Sequence, residues 1–397
     1  MKKMVVKKYL RLASIIVFSM MVGSVITIFI KEDSGYIRKN ITKIDKEYSE
    51  FESLYEAYNT IINEYYNEVD SKKLIDGAKS GMLNALEDQH TSYFDKEETE
   101  SFDTELAGTY YGIGAQIQLI EENKVQIIKI FDGSPAEKAG LKVGDIFVSI
   151  DGKSTDGLDA NDVASILKSD KVKKSTLIMN RDGKEVEVKV IKANVTLFSV
   201  SSEMIDENDK IGYISVSLFS KNTYSQFKTA VEKLEKENIN SLIIDLRGNT
   251  GGYLSTVTNM LELFIDKDKV LYQIQTNNGT TEYTSKFNNN RDYKVVILID
   301  GGSASASEIM AAAMKENYGA ILVGKTTYGK GTVQTTKKLS DGTMIKYTIE
   351  KWLTPNGNNI DGEGIKPDYD IDLSEEYNNN PTNENDTQLQ KALELLK

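Results

Sequence analysis

Apolar and polar positions divide this chain into stretches of different period. Leu12 to Ile30 is nineteen residues without a charge. As a helix it would be about 28 Å long, close to a bilayer's hydrocarbon core of about 30 Å. Lys2, Lys3, Lys7, Lys8 and Arg11 precede it, and Lys31, Glu32 and Asp33 close it. The pattern predicts a transmembrane signal-anchor over 12–30 behind a basic cytoplasmic lead over 1–11, with the rest of the chain outside the cytoplasm. No A-x-A cleavage pattern follows, so an uncleaved anchor at the cell membrane is expected. Ile44, Tyr48, Phe51, Leu54, Tyr55, Tyr58, Ile61, Ile62 and Tyr65 then recur at three- and four-residue steps, an amphipathic helix with an aromatic stripe. A second helical stretch covers Ser71 to Leu86, and the helical region runs over 31–104. The stripe suits a core face or a homodimer surface, and the sequence leaves both open.

Near Gly108 the period changes. Tyr111, Ile113, Ala115, Ile117 and Leu119 alternate with polar or glycine positions, as a half-buried strand does. Val125–Ile130 predicts a second strand, and Pro135 and Gly140 suit the start and the end of a short helix. A strand ending in an Asp151-Gly152 turn, a helix over Asn161–Ser169 and two further strands, Leu177–Asn180 and Glu185–Ile191, complete a small β-rich region over 105–195. From 196 to 373, apolar runs such as Leu242–Ile244 and Val295–Ile299 alternate with helical patterns, which predicts a layered α/β core. The tail over 374–397 is a polar spacer followed by a last helix, Thr387 to Leu396.

Composition narrows the chemistry. The 397 residues include 60 acidic and 48 basic side chains, a net charge of −12, so nucleic acid is not the expected partner. Cysteine is absent and His90 is the single histidine, which removes thiol nucleophiles, zinc–thiolate sites and multi-histidine metal sites. No cofactor or metal is expected. Gly319 to Thr326 matches the spacing of a phosphate loop, but its four middle residues are themselves strand-like and no helical pattern follows. His90 lacks a G-x-S-x-G partner and reads as structural or surface.

Three segments carry candidate chemistry. Asp245 to Gly252 and Gly301 to Ile309 each follow a buried-type strand, and the second opens a helix whose N-terminus favours developing negative charge. Gly329-Lys330-Gly331 brackets a lysine with glycines, so it can lie close to backbone. A serine nucleophile needs a base, and without a histidine the candidate is neutral lysine. Lysine's ordinary value of about 10.4 must fall to near 7–8, a cost of about 4 kcal/mol that demands a desolvated site. Gln334 offers an amide nearby. Spacing leaves Ser303, Ser305 and Ser307 open, although Ser303 and Ser307 share a helix face that Ser305 does not.

Residues 105–195 resemble a bacterial-type PDZ domain, on the Gly112-Ile113-Gly114 loop, the Gly133-Ser134-Pro135-Ala136 to Gly140-Leu141 unit and Gly144-Asp145. Such a loop can hold a C-terminal carboxylate and the next strand edge can pair with a peptide. Gly112, Ile113, Gly114, Ala115 and Ile117, with Val163, Ile166 and Leu167, would line the groove.

The remaining motifs resemble the carboxyl-terminal processing proteases, serine endopeptidases with a serine–lysine dyad. They are Asp245-Leu246-Arg247 to Gly251-Gly252, Ser303 to Ile309, Tyr328 to Gln334, Leu353 to Gly357 and Asp361 to Asp368. Asp88 to Phe94 matches the segment ahead of the PDZ domain, with Gln89 where proline is usual. The resemblance implies a spiral α/β core of the crotonase and Clp-protease type. It also implies Ser305 as nucleophile, Lys330 as general base and Gln334 as the glutamine that orients the lysine. The oxyanion hole would be the N–H group of Ala306 with that of Gly251, or with Gly252 as the alternative. The expected activity is cleavage of protein or peptide substrates recognised through their free C-terminal ends. The other readings are a peptide-binding scaffold with an idle dyad and a crotonase-like acyl-transfer enzyme, for which a PDZ module and an anchor have no evident use.

Overall fold

The computed structural model describes residues 51–120, 123–168 and 172–397. The basic lead, the anchor over 12–30, and Ile44 and Tyr48 of the stripe lie outside the described residues. Among the described residues no helix is long and apolar enough to cross a membrane. Residues 51–64 are helical, with Phe51, Leu54, Tyr55 and Ile61 exposed. Ser71–Asn84 is a second helix, capped by the Asp70 side chain, which accepts from the N–H groups of Lys72 and Lys73.

The α/β core rests on a six-stranded sheet. Its order is Val200–Asp206, Ile211–Val216, Ser241–Asp245, Lys294–Ile299, Ile321–Gly324 and Tyr369–Asp370. The first pair is antiparallel and the others are parallel. Ser241–Asp245 and Lys294–Ile299 are almost continuously apolar because both faces are covered. Leu242, Ile244, Ile297 and Ile299 pack with Phe227, Leu234, Val257 and Met310 of three helices, Thr223–Lys236, Leu254–Leu261 and Ala306–Ala313. Ile243, Val296 and Leu298 face the other way, against Leu389, Ala392 and Leu396 of the C-terminal helix Thr387–Leu396. Ile321–Gly324 is a strand and Lys325 pairs with Asp370 and Asp372 (2.6 and 3.0 Å), which disposes of the phosphate-loop match.

A second sheet carries the lysine loop. Thr332–Lys338 pairs with the long strand Met344–Leu353, which also pairs with Ser92–Phe94 and Val270–Thr276. The PDZ-like region forms its own sheet in the order Ala115–Ile120, Lys124–Ile130, Ile146–Ile150, Lys174–Arg181, Lys184–Ile191. The single strand expected across 111–119 is broken at Gly114. A Cβ there would meet the Ser134 Cβ at 2.3 Å and φ is +81°, so the chain turns where only glycine fits. Thr109–Gly112 instead pairs with Ala193–Thr196.

The helical region expected over 31–104 ends a little later, at Ala107, and the tail is more ordered than its polar composition suggested. Lys96–Ala107 is a helix opened by a capping box between Asp95 and Glu98. The expected spacer over 374–386 holds a short helix, Glu375–Asn379, capped by Ser374. Its end, Asp386, is buried, caps the last helix and pairs with Arg247 at 2.8 Å. Arg247 also binds Asp245 (2.6 Å) and donates to Gln388 (3.0 Å), tying the C-terminal helix to the end of a central strand. Although burial pushes the guanidinium's pKa down, these two carboxylates hold it above its ordinary value. Replacing Arg247 by Met leaves both carboxylates buried without their cation. We expect a loss of about 3–5 kcal/mol in urea unfolding monitored by circular dichroism.

Candidate active site

Ser241–Asp245 and Lys294–Ile299 end side by side, and the loops after them face each other, the usual place for a site in a parallel α/β sheet. Ser303 is buried and donates to the Leu246 carbonyl (2.9 Å). Ser307 is buried and donates to the Asn249 carbonyl (2.8 Å). These two stitch one loop to the other. Ser305, between them, is half-buried and lines a cavity of about 580 Å³. Its backbone at φ 54°, ψ −113° is costly for a residue with a Cβ, and it stands at the N-terminal cap of the helix Ala306–Ala313.

One buried side chain brings the serine and lysine loops together. Glu308 accepts from the N–H groups of Ser305 (2.8 Å), Gly329 (2.7 Å) and Lys330 (2.9 Å), and from the Thr327 hydroxyl (2.6 Å). The Lys330 carbonyl accepts from the Trp352 indole at 2.7 Å. A Cβ at Gly329 would lie 2.8 Å from the Gly364 amide nitrogen, so the glycine next to the lysine is a consequence of close backbone packing.

Lys330 lines the same cavity as Ser305. Burial, reinforced by the charge of Lys346, pushes its ammonium down to about 8, against the opposite pull of Glu308 and Asp88. Lys346 is on the cavity wall with Nζ 5.2 Å from the Phe94 ring centre and 5.8 Å from that of Phe102. It too is lowered by burial. His90 is half-buried beside Tyr328, with ring centres 6.2 Å apart, and burial and the Lys330 charge lower its pKa. Lys346 and Asp88 were not singled out in the sequence. Lys346 is one charge in an alternating strand, and Asp88 had only its family-like segment to mark it.

Two expected positions are occupied differently. The Gly251 N–H donates to the buried Asn249 side chain (2.9 Å), so it is not free for an oxyanion. At Gly252 the neighbouring groups, the Gly251 carbonyl and the Tyr253 N–H, both bond Phe219. The Gly252 N–H therefore faces away from Phe219, and Gly252 lines the cavity together with Ala306. A Cβ at Gly252 would come within 2.4 Å of the Phe219 carbonyl oxygen. The Ala306 N–H is the first of its helix and has no acceptor within it. Gln334 lines the cavity, but its amide nitrogen donates to Thr332 (2.8 Å) and Thr348 (3.2 Å). Among the described residues no hydrogen bond joins Lys330 Nζ to Ser305 or to Gln334. Nor does any group of three His, Cys, Asp or Glu side chains form a metal site among them.

In the PDZ-like region, Ile113, Val163 and Leu167 are core residues, while Ala115, Ile117 and Ile166 are partly buried around them. Ala115–Ile120 is the edge of its sheet beside the helix Ala160–Lys168, so an open strand edge adjoins an apolar helix face. Gly112 is buried in the pairing with Ala193. The Gly114 carbonyl accepts from the Phe131 N–H at 3.0 Å.

Comparison with known proteins shows the family. Residues 210–371 match peptidase family S41, residues 130–190 a PDZ domain, and residues 20–98 the activating protease CtpB N-terminal domain. The chain is 37% identical to the carboxy-terminal processing protease CtpA of Bacillus subtilis, over 98% of this chain and 85% of that protein. It is 40% identical to CtpB of the same organism, over 82% of this chain and 68% of that protein. A solved photosystem II D1 C-terminal processing protease aligns at 25% identity and TM-score 0.46, covering 81% of this chain and 87% of that one. The chain therefore belongs to peptidase family S41, as a PDZ-containing serine-type peptidase of the carboxy-terminal processing protease group.

Proposed function

We propose that this protein is a membrane-anchored, extracytoplasmic serine endopeptidase with Ser305 as nucleophile and Lys330 as general base. One observation carries the reading: of three clustered serines only Ser305 lines the cavity shared with a lysine whose ammonium is destabilised to about 8. Neutral Lys330 takes the Ser305 proton as Oγ attacks the substrate's peptide carbonyl. The developing oxyanion is received by the N–H groups of Ala306 and Gly252, the latter in place of Gly251, whose N–H is held by Asn249. As the C–N bond breaks, the Lys330 ammonium protonates the leaving amine. Water then hydrolyses the acyl-enzyme, with Lys330 again taking the proton.

The PDZ domain supplies recognition. A substrate's C-terminal end adds to the edge strand Ala115–Ile120, with its last side chain toward Ile117 and Ile166. The anchor over 12–30 and the basic lead support the membrane placement, with catalysis on the outer side. The exposed apolar face at Phe51, Leu54, Tyr55 and Ile61 supports a homodimer through the N-terminal helices.

The full chain is expected to cleave an unfolded protein with C-terminal apolar residues, followed by product masses. Ser305→Ala and Lys330→Ala each lower kcat by about 10⁴-fold or more. Retention of cleavage in either variant refutes the dyad. Because the neutral lysine is the active form, kcat/KM rises with pH and levels off above about 8. In Lys346→Met the neighbouring positive charge is gone and Lys330 holds its proton more tightly. The rising limb therefore moves to higher pH, while Lys346→Arg leaves it in place.

A further inference from the structure

Gln334 lies directly opposite Thr348 on the neighbouring strand, and its Nε2 donates to the Thr348 hydroxyl (3.2 Å) and to that of Thr332 (2.8 Å). Thr348 in turn donates to Asp88 Oδ2 at 2.6 Å. Asp88 also accepts from the Thr91 hydroxyl (2.6 Å) and from the His90 N–H (2.9 Å), and Thr91 accepts from the Thr348 N–H (3.3 Å). Burial raises the Asp88 carboxyl, but the hydrogen bonds and the His90 charge together hold it below the ordinary carboxylate range. It is therefore ionised at neutral pH and can only accept.

That direction propagates. The Thr348 hydroxyl has one proton and commits it to Asp88, so toward Gln334 it can only accept. Only the NH₂ end of the Gln334 amide satisfies it, which leaves Oε1 as the end available to the cavity that Lys330 also lines. Without that constraint the two ends of the amide have the same shape. A flipped Gln334 would then present a donor where the lysine, itself a donor, needs an acceptor.

We infer that Asp88, in the segment ahead of the PDZ domain, is a positioning residue for the catalytic lysine, acting through Thr348 to set which end of the Gln334 amide is available to Lys330. The inference rests on the proposed role of Lys330 and on the lysine-orienting role that the family resemblance implies for Gln334. It gives the Asp88–Phe94 segment a task in the reaction although none of its residues need touch substrate.

The test uses the full chain and one peptide substrate, with Lys330→Ala as control. Thr348→Val removes the hydroxyl but keeps shape and strand preference. We expect kcat to fall roughly 10-fold to 100-fold with KM unchanged. Thr348→Ser restores most of the rate. Asp88→Asn, whose amide can donate as well as accept, lowers kcat in the same way. In a Gln334→Ala background, assayed on the alkaline plateau where the direct pull of the Asp88 charge on Lys330 no longer affects the rate, neither Thr348→Val nor Asp88→Asn costs anything further, because the relay then has nothing to orient. A wild-type kcat in folded Thr348→Val, or losses that multiply in the double variants, overturns the inference and leaves the dyad standing. A wild-type chain that does not cleave, or a Lys330→Ala chain that does, overturns the dyad and the inference with it. Thermal unfolding of each variant separates loss of rate from loss of fold, and Asp88→Asn stands in if Thr348→Val does not fold.

Discussion

Glu308 is fully buried and accepts hydrogen bonds from three backbone N–H groups, those of Ser305, Gly329 and Lys330, and from the Thr327 hydroxyl. Four acceptor positions are filled, which is what makes a carboxyl group tolerable inside an apolar core. The same bonds hold the serine turn and the lysine loop at a fixed separation, although they belong to different sheets. They also explain how the chain tolerates Ser305 at positive φ: a strained backbone persists where its surroundings over-determine it. Removing the Glu308 carboxylate would orphan three backbone amides and the buried Thr327 hydroxyl at once and release the strained turn from the loop it faces.

The second constraint is the seam between the PDZ domain and the catalytic core. Ser92–Phe94 pairs with the long strand Met344–Leu353, and the helix Lys96–Ala107 brings Phe102 and Leu106 to the cavity wall. That helix ends at Gly108, where the PDZ domain begins. The Asn222 side chain donates to the Gly108 carbonyl (2.6 Å) and to that of Leu197 (3.4 Å), on the returning crossing. Gln226, one turn on, donates to Leu197 and accepts from Ser199. One helix start therefore grips both crossings, so the PDZ domain and the wall of the cavity share a single hydrogen-bonded joint.

The cavity has two lysines in its lining, with Asp103 and Glu105 also there. Lys330 and Lys346 both line it, and burial lowers both ammonium groups. Each unfavourable feature for an ammonium ion favours the neutral amine, the form that the proposed general base requires. Glu308 and Asp88 oppose the effect, and the balance leaves Lys330 near 8 rather than lower.

Whatever depends on residues close in the chain was legible from the sequence. The buried central strands announced themselves as apolar runs, Gly329 and Gly331 marked a lysine pressed against backbone, and three serines at two-residue steps marked a helix start. The capping box at Asp95 and Glu98 was local too, inside the region expected to be helical, although the cap itself was not singled out. Contacts between distant residues decided the rest. Ser303 and Ser307 are committed to the Leu246 and Asn249 carbonyls of another loop, while Ser305 lines the cavity. The Gly251 N–H is taken because the Asn249 side chain folds back onto it, which is why the proposed oxyanion hole moves to Gly252. The lowered value of Lys330 comes from burial and from Lys346 on another strand, and the orientation of Gln334 traces to Asp88, more than two hundred residues earlier. Periodicity and motif spacing record what a residue does to its own neighbourhood. Hydrogen-bond direction and electrostatic field are set by whatever the fold places opposite.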